Sequence, residues 1–288
     1  VASLNIDSPG VEAGTEYKRA GCSELLELAT TSIRGIMGQE VERSGWPSRS
    51  GDGSFWGTGF PQAGITGVRP KDLYDPFVNA CGGGWWWHSA YDTFDRGDVN
   101  MLVPNIRVYL HFLLHLSNSP IHPLNFTQPA DRMITILQDL QKKADKIRAH
   151  FNLKPVLERA EEFKIRAEAL EQLVKEVMER YEKAENKDSF GPVFKEINSC
   201  MLWVSRHINL VAHTNAEKTE QISMEDFGMK PFPGLQPLLD LARLPLPYAG
   251  PSPDFLMLVR ERNRVEDGFF LAAEEIRETE RKVRAILR

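Results

Sequence analysis

The sequence predicts an α/β segment followed by an all-α helical bundle, and three observations point there. The first ~120 residues run strand, helix, loop, strand, which is α/β grammar. Texture then changes near residue 120, from short apolar runs punctuated by Gly, Ser and Trp to long charged stretches. Those later stretches carry apolar residues at steps of three and four, the signature of amphipathic helices. The expected domains are therefore residues 1–120, an α/β part, and residues 121–288, a helical part.

Taken in order, Ser3 to Ile6 belongs to an alternating run that reads as a buried strand, broken at Asp7-Ser8-Pro9-Gly10. Asp7 then stands at a strand's C-terminal end, where open α/β sheets place their ligands. Ser23 to Glu42 reads as a helix, with Leu25, Leu26, Ala29, Ile33 and Ile36 at helical spacing and Ser23 as N-cap. A Gly- and Ser-rich loop from Ser44 to Gly59 precedes a short strand, Ala63 to Val68. Pro104 to Ser117 is apolar nearly all round, which predicts a buried helix. Helices are then expected over Pro129–Phe151, Pro155–Tyr181, Phe190–Ala212 and Val265–Leu287. Phe227 to Pro253 holds seven prolines and reads as an irregular crossing segment inside the bundle.

Composition narrows the function classes. With 35 Lys and Arg against 40 Asp and Glu, the net charge is -5, and no basic clustering marks a nucleic-acid footprint. No apolar stretch approaches the ~20 residues that span a bilayer, and no signal peptide is visible. Three widely spaced cysteines, Cys22, Cys81 and Cys200, suit neither a disulfide framework nor a zinc knuckle. Asn125-Phe126-Thr127 forms one glycosylation sequon.

Most of the seven histidines read as packing or solvated residues. His111 and His115 have the i, i+4 spacing of a zinc helix, but Phe112, not Glu, follows the first. His122, His150, His207 and His213 lie at helix ends or on a bundle helix. His88 differs because it sits in Cys81-Gly82-Gly83-Gly84-Trp85-Trp86-Trp87-His88-Ser89-Ala90-Tyr91-Asp92-Thr93. The glycines allow close backbone approach, and three successive tryptophans cannot all point into a core, so part of that aromatic surface is expected to face a cavity or partner. Asp92 or Asp95 would orient His88.

GGGWWWHSAYDTFD resembles the last metal-ligand motif of the dizinc aminopeptidase and glutamate carboxypeptidase family, in which a His is followed by Ser or Thr and an acidic-Thr pair. LNIDSPG resembles the family's earlier motif, where a strand-end Asp binds zinc. Gly51-Asp52-Gly53-Ser54-Phe55-Trp56-Gly57 and Gly64-Ile65 resemble its substrate-side loop and the strand after it. The helical part resembles the transferrin-receptor-like dimerisation domain of the carboxypeptidase branch, including Tyr248-Ala249-Gly250.

The resemblance implies the C-terminal half of a zinc-peptidase-type sheet with flanking helices, and a zinc-dependent exopeptidase acting on peptides by a two-metal mechanism. Asp7 and His88 would each bind one of two zinc ions. Ser54, Trp56 and Trp87 would line the substrate site, Trp87 standing where many relatives carry an oxyanion-binding Tyr. The general base and remaining ligands are expected upstream of Val1, so no catalytic residue is assigned here and this chain alone is expected to be inactive. Around Arg69 no counterpart of the glutamate-selecting basic patch is found, which favours an aminopeptidase. The resemblance also implies homodimerisation through the helical part, and an extracellular setting if an upstream segment carries a signal or anchor. The rival expectation is a non-catalytic, receptor-like homologue that works through its dimerisation domain.

Overall fold

A computed structural model describes residues 1–41, 43–44, 60–73, 84–145, 151–214, 231–238 and 253–288. It is mostly helical with a small sheet. The chain divides into two compact units, one formed by residues 2–47 and 62–119, the other built on residues 120–288.

In the first unit the strands are β1 (Ser3–Ile6), β2 (Glu16–Gly21), β3 (Arg43–Ser44) and β4 (Gln62–Val68), in spatial order β1-β4-β2-β3. β1 runs parallel to β4 with Ile6 opposite Ile65, and β2 runs antiparallel to β4 with Tyr17 opposite Gly67. β3 is a two-residue parallel addition to β2. β4, buried along nearly its whole length, is the centre. At Gly21 the backbone has φ +121, and a Cβ there would lie 2.1 Å from the Gln62 carbonyl oxygen, so only glycine lets the two strands close.

α1 (Leu26–Met37) turns its apolar stripe of Leu28, Ala29 and Ile33 inward and ends at Gly38, whose φ of +64 forms the left-handed cap. A short 3-10 turn over Ser23–Leu25 precedes it. α2 (Val99–Asn118) packs against α1 and β4 through Asn105, Val108, Tyr109 and Phe112. Two expectations are corrected here. β1 is half-buried at the sheet edge, because β4 alone among the described strands pairs with it. α2 is not buried all round: Val99, Val103, Ile106, Leu110 and Leu114 are exposed along one face, Val99 at 66%. An all-apolar helix has two faces to bury, and among the described residues this unit supplies a partner for one.

The second unit contains α3 (Thr127–Asp145), α4 (Lys154–Lys183), α5 (Gly191–His213) and α6 (Pro253–Ile286). α3 packs on α4, α4 on α6 and α6 on α5. Asn125 starts α3 by accepting from the Thr127 and Gln128 amides at 2.9 and 3.3 Å, leaving Pro129 inside the first turn. Phe163 of α4, Phe269 of α6 and Phe232, which lies between α5 and α6 in the chain, are fully buried, with the Phe269 ring 5.9 Å from the Phe163 ring and 6.2 Å from the Phe232 ring. Arg264 of α6 donates to the Leu210 and Thr214 carbonyls at 3.0 and 2.6 Å, closing the C-terminal end of α5. The last helix begins at Pro253, twelve residues before the apolar periodicity predicts, since a proline in the first turn costs no hydrogen bond. Among the described residues no helix is long and apolar enough to cross a membrane.

Candidate functional site

The first unit holds a cavity of about 600 Å³ with Asp7 and His88 in its wall. The two come from distant parts of the sequence, and two tight turns deliver them.

Asp7 follows β1 directly, in a turn where Ser8 has φ +51 and Gly10 φ +73. Left-handed backbone at a serine costs energy that its surroundings must supply. The Ser8 hydroxyl donates to Asp7 Oδ1 at 3.2 Å. A Cβ at Gly10 would lie 2.9 Å from Leu102 Cβ, so the chain can pass α2 this closely only as glycine. The Gly10 amide donates to Asn105 Oδ1 at 2.8 Å, and Asn105 Nδ2 donates to the Tyr17 hydroxyl. Asp98 N donates to the Gly10 carbonyl at 2.8 Å and Glu12 N to the Arg96 carbonyl at 3.1 Å, pinning the loop after β1 to the segment before α2.

His88 sits in the other turn. Trp87 N donates to the Gly84 carbonyl at 3.2 Å, and the Ser89 amide and hydroxyl both donate to the Trp86 carbonyl at 3.0 and 2.6 Å. His88 itself has φ +55, and its ring stacks on Trp87 at 3.6 Å and 13°. Gly84 is needed because a Cβ there would meet the Trp86 ring at 2.4 Å. The tryptophans separate by role: Trp86 is 5% exposed, Trp87 is half-buried in the cavity wall, and Trp85 is exposed. The Arg69 and Arg96 guanidinium groups lie over the Trp86 ring at 5.1 and 5.2 Å, and Arg96 also lies over Trp85 at 5.5 Å.

The polar wall is completed by Asp92, Arg96 and Asp98, and the apolar wall is Val11, Trp86, Phe94, Val99 and Leu102. Of the two acidic candidates near His88, Asp92 shares the cavity with it. Asp95 instead accepts from the Thr93 hydroxyl, which holds its carboxyl below the usual range. Asp98 is the N-cap of α2, accepting from Asn100 N at 2.8 Å.

The remaining histidines lie elsewhere. His111 and His115 stack on each other at 4.1 Å, with His111 Nδ1 3.1 Å from the Ser32 hydroxyl and His115 Nδ1 2.9 Å from the His111 carbonyl, an arrangement that packs α2 on α1. Burial lowers the His111 and His122 pKa values, and burial pushes that of His213 down to about 3. His207 stacks near Trp203 at 6.1 Å. Cys22 and Cys200 are buried thiols, and burial pushes Cys200 up to about 12. Ser54 and Trp56, with their loop, and Cys81, His150 and Tyr248-Ala249-Gly250 lie outside the described residues.

Among the described residues no group of three or more His, Cys, Asp or Glu side chains is placed to hold a metal ion. A catalytic zinc takes about three protein ligands and a water position. Asp7 and His88 thus make the right kind of donors but do not by themselves fit a zinc centre. Sequence reasoning passed over Phe94, Arg96, Asp98 and Asn105. The signals were present as an Asp directly before an apolar helical run and an Asn inside it. No family model matches the chain, and no characterised protein is significantly similar to it.

Proposed function

We propose that the first unit is part of the catalytic domain of a zinc-dependent exopeptidase of the aminopeptidase type, and that the helical unit is a dimerisation domain of the transferrin-receptor kind. The observation that carries the reading is the meeting of Asp7 and His88 in one cavity, from turns 81 positions apart in sequence. Both sit beside residues held in left-handed backbone or are so held themselves, a strain that recurs at functional sites.

Two further features support a larger catalytic domain. Parallel strands are ordinarily interior, yet β1 has a described neighbour on one side only. The apolar face of α2 asks for a covering element as well. In this reading Asp7 and His88 supply one donor to each of two ions, and the other donors and the general base come from outside the described residues. A bound zinc pair would supply a water of lowered pKa and a Lewis acid for the peptide carbonyl. This chain's contribution is to fix the two donors at the ends of rigid turns and to wall the site with Trp86 and Trp87.

The test is a zinc titration followed by the His88 ring resonances in NMR. The expected result is weak binding that shifts His88 and is reversed by a chelator, with no hydrolysis of amino-acid anilides by this chain alone. Tight uptake of two zinc ions would show that all the ligands are present here. A His88 signal indifferent to zinc would remove the peptidase reading and leave the receptor-like alternative.

A further inference from the structure

We propose that His111 and His115 of α2 form a two-histidine site for a divalent metal ion of the copper(II) and zinc class, separate from the cavity that holds Asp7 and His88. The two residues are one helical turn apart, so their side chains lie one above the other on the same face. Their rings stack at 4.1 Å with 27° between the planes. Two nitrogens bound to one such ion are roughly 3 Å apart, so the pair is already spaced near the bite a metal needs. In a zinc-protease helix the Glu after the first His is the general base and not a ligand, so Phe112 at that place speaks against catalysis and not against binding.

Hydrogen bonds fix which nitrogen of each ring is available. The Ser32 hydroxyl has one proton, and it goes to the Leu28 carbonyl at 2.8 Å. Ser32 Oγ can therefore only accept from His111 Nδ1, 3.1 Å away. His115 Nδ1 lies 2.9 Å from the His111 carbonyl oxygen, which has no proton to give. Both neutral rings thus carry their proton on Nδ1 and the lone pair on Nε2. An Nδ1–H donated to a fixed acceptor is the arrangement that orients metal-binding histidines and raises their basicity.

The pair is open to solvent, with His115 exposed and His111 half-buried. Opposite His111, α1 carries Gly35, where a Cβ would lie 3.6 Å from Nε2 and 3.9 Å from Cε1. A glycine inside a helix forfeits up to about 1 kcal/mol against alanine, and here its bare backbone leaves in front of Nε2 the room that a longer side chain would fill. Metal binding needs neutral imidazole, and burial, followed by the neighbouring His115, lowers the His111 pKa and favours that form. Imidazole donors select copper(II), nickel or zinc over magnesium and calcium, with copper(II) held tightest. Two protein donors leave further coordination positions to water, which makes this an exchangeable surface site and not a closed structural one.

The experiment titrates zinc sulfate into the full chain, with the histidine ring resonances followed by NMR. Before metal is added, nitrogen spectra at alkaline pH should show Nε2 unprotonated in both rings. Zinc is expected to shift His111 and His115 together in one saturable event, equally in the wild-type chain and in His88→Gln. His115→Gln, at an exposed position, should leave the circular dichroism unchanged and weaken zinc binding at His111 roughly tenfold or more, as one donor of a chelate is lost. Copper(II) should displace the zinc, and magnesium should not. Nε2-protonated rings, independent shifts, an affinity indifferent to His115→Gln, or displacement by magnesium as readily as by copper(II) would each overturn the proposal. A paired shift of His111 and His115 with a zinc-silent His88 keeps this site and removes the exopeptidase reading. A response confined to His88 does the reverse.

Discussion

Asn105 joins segments 95 positions apart: its carbonyl receives the Gly10 amide and its amino group meets the Tyr17 hydroxyl, all beneath the protein surface. A buried polar group that satisfies two others fixes position more sharply than an apolar contact would, because each bond lost leaves a buried donor or acceptor without a partner. Through this one side chain the loop carrying Asp7 is referenced to α2 and β2. Sequence made Asp7 and His88 legible because their neighbours are unusual, a Pro-Gly break after a strand and a glycine-tryptophan run. Asn105 lacked such a setting, being one polar letter in an apolar helix. His213 offers a measurable consequence of burial at the same scale. Its pKa falls from 6.5 to about 3, chiefly because burial penalises the charged ring and secondly through Arg132. A histidine with a depressed folded pKa takes up a proton on unfolding, so its stability contribution is intact above about 6.5 and is lost as pH falls from there towards 3. Urea denaturation at stepped pH is expected to show a loss approaching about 1.4 kcal/mol per pH unit in that window, with a flatter profile in His213→Gln.

Gly268 shows how an element interface can override helix propensity. It lies inside α6, where alanine would ordinarily improve the helix by up to about 1 kcal/mol. A Cβ at this position would come within 2.5 Å of Val211 Cγ1 and 3.1 Å of Cγ2, and the branched side chain of Val211 has little rotamer freedom with which to withdraw from α5. Gly268→Ala is therefore expected to destabilise the protein by about 1–3 kcal/mol, read as a lower midpoint in chemical denaturation; an unchanged or raised midpoint would show that the α5 and α6 contact is loose. The helices of the second unit were legible because their apolar stripes repeat cleanly over five or more turns. β2 was not, since Glu16-Tyr17-Lys18-Arg19-Ala20-Gly21 has the polar composition of a surface loop. Its strand character comes from pairing on both sides, with β4 and β3, which no local pattern records. α2 failed in the opposite sense: its composition reports a helix with two faces to cover, and only one is covered among the described residues.

At the scale of the whole molecule, each unit closes a hydrophobic core with its own elements, α1, α2 and the sheet in one and α3 to α6 in the other. Surface ion pairs along the helical unit, such as Lys175 with Glu171 at 2.8 Å and Arg281 with Glu278 at 2.9 Å, cover its outer faces but contribute only tenths of a kcal/mol each. Against that charged surface, Ile165 on α4, Trp203 on α5 and Leu271 on α6 remain exposed, at 61%, 44% and 41%. Aromatic and aliphatic groups on an otherwise charged helical surface are the residues through which a second copy is best engaged, since contact centres favour tryptophan and shed lysine and glutamate. The proposed homodimer thus has candidate contacts that can be removed without disturbing a core. Light scattering on the full chain at micromolar concentration is expected to give twice the 32.7 kDa chain mass. Trp203→Ala should shift the mass towards the single-chain value while leaving helical circular dichroism unchanged. A mass of one chain across the concentration range would remove the dimerisation role from the helical unit. A dimer indifferent to Trp203→Ala would place the contact elsewhere in the chain, the exposed face of α2 being the first alternative, and Leu110→Lys would then be the substitution that dissociates it.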